Sequence, residues 1–92
     1  MNSSEEINVR VEVVVMYRTR GDSSTWCFPY KMKYQGREVT FTELGLRHPT
    51  TKGMRMVHVF DMSDGANDYR LEFDAGMLTW KLLAIMEGHD GR

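Results

Sequence analysis

Cysteine and proline are scarce in this sequence of 92 residues, which holds one cysteine and two prolines. Because Cys27 has no second thiol to pair with, small secreted folds that depend on internal disulfides are excluded. The longest apolar runs, Val13 to Met16 and Leu82 to Met86, are far shorter than the about 20 residues that cross a bilayer. The polar, acidic residues 1–6 do not have the pattern of a signal peptide, so we expect a cytoplasmic protein.

The rest of the composition is that of a globular domain. Hydrophobic residues make up 41% and charged residues 27%, which separates the chain from the disordered class. The length predicts one domain, with a disordered segment over 1–6, a β-rich domain over 7–87 and a flexible tail over 88–92. The eight methionines are the clearest excess, and methionine suits irregular core gaps or adaptable contact surfaces.

The small net charge of −1 hides an uneven distribution. Residues 1–17, 18–60 and 61–92 carry net charges of −2, +5 and −4, respectively. Such asymmetry can mark a nucleic-acid-binding face, or basic and acidic strands that lie side by side and pair. We favour the second interpretation.

Alternating apolar and polar residues predict several short strands. From Ile7 to Tyr17, apolar residues recur at every second position, although Val14 and Met16 make the second face apolar too and imply that something covers it. Turn residues then separate further strands. The turns are Gln35-Gly36 between 30–34 and 37–41, Ser63-Asp64-Gly65 between 54–61 and 69–74, and Asp74-Ala75-Gly76, with a left-handed glycine, before Leu78.

The segment from Met77 to Glu87 fits two structures. A strand would place Leu78, Trp80 and Leu82 on one face, and a helix would align Leu78 and Leu82 with Ile85 and Met86. We favour the strand because a glycine turn precedes it, and we expect Trp80 to lie in the core. The fold class is therefore mainly β, with five or six strands in one antiparallel meander that forms a bent sheet or a partly open SH3-like or OB-like barrel. An α+β fold with one C-terminal helix is the alternative.

No motif for catalysis, cofactor binding or metal binding is recognisable. His48, His58, His89 and Cys27 match no metal-ligand spacing, and Cys27 lies in an apolar setting between two aromatic residues. The carboxylates between Asp61 and Asp74 are expected to be solvated turn formers. The segment from Arg47 to Gly53 reads as a loop whose hydroxyls, cations and glycine could contact phosphate, although it has no Walker-type order, and we favour a solvated connection.

Basic residues interleaved with aromatics are the strongest functional pattern. Strand alternation places Tyr30, Met32 and Tyr34 on one face and Lys31 and Lys33 on the other, which weakens a stacking surface for nucleic acid. The candidate binding residues are Lys31, Lys33, Arg37, Arg47, Lys52 and Arg55.

Residues 26–83 carry a resemblance to a known group of sequences. The shared features are Gly36-Arg37-Glu38-Val39, His58-Val59-Phe60 with Ser63-Asp64-Gly65, the segment from Asp68 to Asp74, and Trp80 with Leu82. In these features the chain resembles a family of small uncharacterised bacterial β-domain proteins. The resemblance implies a β fold and brings no catalytic residues.

The functional expectation is a non-enzymatic interaction module that associates with itself or docks on a protein partner. The methionines, the second apolar face of the first strand and the separated charges motivate it. The alternative is a single-stranded nucleic-acid-binding domain that uses the basic residues of 31–55. We expect no cofactor, metal or membrane partner.

Overall fold

The computed structural model describes residues 4–19 and 25–88, and within them the secondary structure is entirely β. No helix that could cross a membrane is present in these two ranges. The segment from Met77 to Glu87 contains a strand, so the helical alternative is wrong. The seven strands are β1 (Ser4–Thr19), β2 (Thr25–Tyr34), β3 (Arg37–Thr40), β4 (Glu43–Lys52), β5 (Arg55–Ser63), β6 (Asp68–Asp74) and β7 (Thr79–Met86).

All seven strands belong to one antiparallel sheet in the order β3-β2-β1-β7-β6-β5-β4. The sheet is bent but not closed, because its two end strands, β3 and β4, do not pair with each other. The chain bridges this gap. The N–H of Phe41 donates to the carbonyl of Tyr30 in β2 (2.9 Å), and the N–H of Thr42 donates to the carbonyl of Ser63 in β5 (2.7 Å). The predicted mainly β, partly open architecture is confirmed.

The core lies on the concave face of the sheet, where alternate residues of the strands meet. Trp80 is 7% exposed, and its ring centroid lies 5.4 Å from that of Phe60 and 4.8 Å from that of Phe73. The prediction that Trp80 is a core residue is therefore confirmed. The buried cluster consists of Met32, Phe41, Phe60, Met62, Tyr69, Leu71, Trp80 and Leu82.

Strand β1 begins earlier than the sequence predicts. Residues 4–6, expected to be disordered, pair with the end of β7 through Ser4 opposite Met86 and Glu6 opposite Ala84. The alternation fails near Asn8, which has a φ of 57° and lies where the β1–β7 pairing shifts by a bulge. At the other end, Gly88 donates its N–H to Oδ1 of Asn67 (3.0 Å). Residues 89–92 of the predicted tail lie outside the described residues.

Of the two turns predicted to be tight, one is confirmed and the other differs from the prediction. Gln35 and Gly36 both have positive φ, 53° and 75°, as a two-residue hairpin turn requires. The turn after Asp74 is longer than predicted, and its left-handed residue is Leu78 (φ 58°) rather than Gly76. Leu78 is 75% exposed, so the prediction that it is buried beside Trp80 is wrong.

The segment from Arg47 to Gly53 is the element that sequence analysis missed. It belongs to β4 up to Lys52, and nine of the ten β4 residues are exposed. An exposed edge strand needs no alternation of apolar and polar residues, and Pro49 argues against a strand in any non-edge position. Pairing with β5 makes this segment a strand, and it raises the number of strands to seven.

Candidate functional site

The six predicted binding residues do not form one surface. Lys31 and Lys33 flank the buried Met32 on β2 and therefore face outward. Arg37 lies on β3, at the same end of the strand order. Arg47, Lys52 and Arg55 lie on β4 and β5 at the opposite end, and no strand pairing connects the two groups.

Two of the six neutralise carboxylates inside the protein. Nζ of Lys52 lies 2.8 Å from Oε2 of Glu72, and Nη1 of Arg55 lies 2.9 Å from Oδ2 of Asp74. Glu72 and Asp74 are each only 7% exposed, so the expectation that they are solvated is wrong. Asp74 is a turn former all the same, because its Oδ1 accepts the N–H groups of Gly76 (2.9 Å) and Met77 (3.1 Å). The basic segment and the acidic segment pair here, as the charge distribution suggested.

Both ion pairs lie on the convex face of the sheet: Lys52 of β4 reaches across β5 to Glu72 of β6, and Arg55 at the start of β5 pairs with Asp74 of the neighbouring β6. Val57 stands opposite Asp74, and Val59 stands opposite Glu72, so all four side chains share that face. Both valines are buried although neither belongs to the main core cluster. The convex face therefore has a small buried layer of its own.

Asp64 holds the turn between β5 and β6. Its Oδ1 accepts the N–H groups of Ala66 and Asn67, each at 2.8 Å, and its Oδ2 accepts the hydroxyl of Tyr69 at 2.8 Å. Burial acts to raise the pKa of this carboxyl, but these hydrogen bonds outweigh it, so the pKa of Asp64 lies below its ordinary value. Burial, followed by the bond to Asp64, raises the pKa of Tyr69. This group is structural.

Four exposed apolar side chains belong to two neighbouring segments at one end of the sheet. We call this set the methionine patch: Met54, Met56, Met77 and Leu78, which are 100%, 54%, 54% and 75% exposed. The turn between β4 and β5 and the turn between β6 and β7 are neighbours because β5 pairs with β6. Arg55 joins the two turns, since its Nη1 contacts Sδ of Met77 at 3.5 Å.

The methionine excess was the only signal in the sequence that could have located this patch. The seven methionines after Met1 divide by burial in the structure. Met32 and Met62 are core residues, Met16 and Met86 are half-buried, and the other three are exposed members of the patch. Only strand pairing brings residues 54 and 77 together.

A cleft of about 440 Å³ opens at the unclosed side of the sheet. Phe41 and Met62 of the core line it together with the half-buried Phe28 and Leu44. Its remaining lining residues are polar: Arg18, Thr19, Thr42 and Glu43. None of these belongs to the six predicted binding residues.

The remaining reactive side chains give no site. Within 4–19 and 25–88, no three of the histidine, cysteine, aspartate and glutamate side chains are grouped as a metal would need. Cys27 is half-buried and stands opposite the exposed Tyr17. Its Coulombic effect is the main reason that the pKa of Tyr17 is raised.

No protein-family model, no curated protein and no solved structure matches this chain. The resemblance to a family of small bacterial β-domain proteins therefore stays a prediction. The function has to be argued from the surfaces described above.

Proposed function

We propose that this protein is a non-enzymatic interaction module that associates with a second copy of itself through the methionine patch. The observation that carries the proposal is the exposure of Met54, Met56, Met77 and Leu78 on two adjacent turns and the strand end beside them. The proposal includes a cytoplasmic location, where the single thiol of Cys27 would stay reduced. Docking of the same patch on a different protein is the alternative.

The composition of the patch supports an interface. Methionine side chains are flexible and polarizable, so they adapt to an opposing apolar surface. The neighbouring charges of Arg55 and Asp74 already satisfy each other at 2.9 Å, and covering them would leave no unpaired ion. Exposed apolar groups at the centre and paired charges at the rim are the arrangement expected of an interface.

Self-association through one patch requires a twofold axis, which places the patch of one copy against the same patch of the other.

Strand addition at the β4 edge has less support because Pro49 lies there and removes one N–H from the free edge. The distal part of β1 is a second exposed apolar region, with Val14 at 58% and Tyr17 at 68% exposure. A direct test has to separate these surfaces.

The test is the molar mass measured by sedimentation equilibrium from low to high micromolar concentration. We expect the wild-type mass to rise from monomer toward dimer, and the double variant Met54→Ser, Leu78→Asn to remain monomeric. Asn tolerates the left-handed conformation at position 78, so the turn should be kept. The matched control is Val14→Thr, which should dimerise like the wild type.

Two results would contradict the proposal. A wild-type chain that stays monomeric at high micromolar concentration rules out self-association and leaves the protein-partner alternative. A dimer lost in Val14→Thr but kept in the double variant moves the interface to β1.

The nucleic-acid alternative has weaker structural support. Lys52 and Arg55 are engaged with buried carboxylates, and Nζ of Lys31 lies 3.7 Å from Oε1 of Glu38. Lys33, Arg37 and Arg47 have no ion pair within the described residues, but they lie on three different strands. Fluorescence anisotropy with a labelled single-stranded oligonucleotide at about 50 mM salt tests this alternative, because phosphate contacts are strong at low salt.

A further inference from the structure

The cleft at the unclosed side of the sheet exists because β3 and β4 do not pair. The connection through Phe41 and Thr42 joins the two ends, by one backbone hydrogen bond on each side. Beyond this connection, β4 continues along β5 while the first residues of β2 pair with β1 alone. Core side chains of the concave face can therefore be reached from the gap.

We propose that this cleft binds a small apolar molecule that carries one carboxylate group. Its apolar body would contact Phe28, Phe41, Leu44 and Met62, and its carboxylate would lie at Arg18. The proposal goes beyond self-association and uses none of the residues of the methionine patch.

The size and lining of the cleft fit such a ligand. Its volume of about 440 Å³ falls within the roughly 300–1,000 Å³ that is typical of small-molecule sites. Two of its apolar lining residues, Phe41 and Met62, are 5% and 2% exposed, so the inner wall is part of the rigid core.

The charged residues at the mouth of the cleft favour a ligand with a single negative charge. Among the described residues, Arg18 is the one cation that lines the cleft, and it has no ion pair with any of them. A guanidinium group can hold a carboxylate with two parallel hydrogen bonds. Glu43 also lines the mouth and would repel a second negative charge, which favours a monoanion.

The experiment is calorimetric titration of the full chain with octanoate and, separately, with the uncharged octanamide. We expect one molecule of octanoate to bind per chain. Arg18→Gln should weaken octanoate binding about tenfold, as loss of a charged hydrogen bond does, and should leave octanamide binding unchanged. Glu43→Gln should change octanoate binding in the opposite direction, by a few-fold gain. The control Arg47→Gln removes an exposed cation of β4 outside the cleft and should change neither.

A second variant tests the location. Leu44→Trp should fill the cleft and abolish the binding of both molecules, while its melting temperature shows whether the fold is kept. If this variant fails to fold, the opposite effects of Arg18→Gln and Glu43→Gln still decide the question, because both side chains are exposed. Absence of octanoate binding to the wild type at millimolar concentration, or an equal loss of octanoate and octanamide binding in Arg18→Gln, would overturn the proposal.

Discussion

At the scale of single residues, Trp80 is the side chain whose loss the fold can least tolerate. It is 7% exposed and packs against Phe60 and Phe73. Trp80→Ala should cost about 3–5 kcal/mol, a large part of the roughly 5–10 kcal/mol expected for a domain of this size. Thermal melting of the variant should therefore show a largely unfolded protein. A wild-type melting curve would contradict the packing described here.

The second tryptophan, Trp26, provides a comparison for Trp80. Trp26→Ala is predicted to cost less than Trp80→Ala, because Trp26 lies next to a polar loop in the sequence. The side chain of Trp26 lies outside the described residues, so the melting temperatures of the two variants provide the only comparison.

Asp64 predicts a pH-dependent contribution to stability. Its pKa is lower in the folded protein than in the unfolded chain, so its contribution is complete above about pH 4. That contribution is lost as the pH falls through the folded-state pKa, where the carboxylate takes up a proton. Asp64→Asn should therefore lower the free energy of unfolding at pH 7 and have a smaller effect at pH 3, measured by urea denaturation.

The control for Asp64 is Glu12→Gln, which changes an exposed carboxylate of β1. It should change stability by no more than about 0.5 kcal/mol at either pH. An Asp64→Asn effect of equal size at both pH values would show that the charge of Asp64 does not matter to the turn.

At the scale of elements, the ion pair between β4 and β6 is more than a surface contact. Lys52 is about half exposed, but its partner Glu72 is buried, so removing the lysine leaves a buried charge without a partner. Lys52→Ala should cost about 1–2 kcal/mol after allowance for the solvent around the lysine. Adding Glu72→Gln should recover part of that loss, which a double-mutant cycle measures by denaturation.

The matched control for this pair is Lys31→Ala. Lys31 and Glu38 are farther apart, at 3.7 Å, and the Glu38 side chain is 65% exposed. Its loss should cost less than about 0.5 kcal/mol. Equal costs for Lys31→Ala and Lys52→Ala would mean that the burial of Glu72 contributes nothing.

At the scale of the whole molecule, the unclosed sheet separates two kinds of surface. The cleft opens between the ends of the sheet, and the methionine patch lies on two hairpin turns and the adjoining end of β5. The two surfaces share no residue, so Leu78→Asn should leave the affinity for octanoate unchanged. Failure of carboxylate binding and failure of self-association are therefore distinguishable results.

Most of the strands were predictable because alternation is a local property of the chain. The residues from Ile7 to Tyr17 show this alternation directly. Gln35-Gly36 and Ser63-Asp64-Gly65 mark turns because Gly36 and Gly65 adopt positive φ, which glycine adopts more easily than other residues. β4 could not be predicted in this way, because an exposed edge strand has no buried face to show in its sequence. Leu78 was misplaced because its exposure depends on the length of a turn.

The sequence predicted that a contact surface exists but not which residues form it. The methionine excess predicted a contact surface, but residues 54 and 77 become neighbours only through the pairing of β5 with β6. The six basic residues looked like one group because they lie close together in the sequence. The sheet distributes them over four strands and pairs two of them with buried carboxylates.

The sequence by itself determined the β class, the position of most turns and the burial of Trp80, since these follow from local alternation and backbone preference. The tertiary structure alone decided the order of the strands, the pairing of Lys52 with Glu72, the open cleft and the gathering of the methionine patch. Each of these depends on contacts between residues far apart in the chain, and the free energy of such contacts is set by packing rather than by any local pattern.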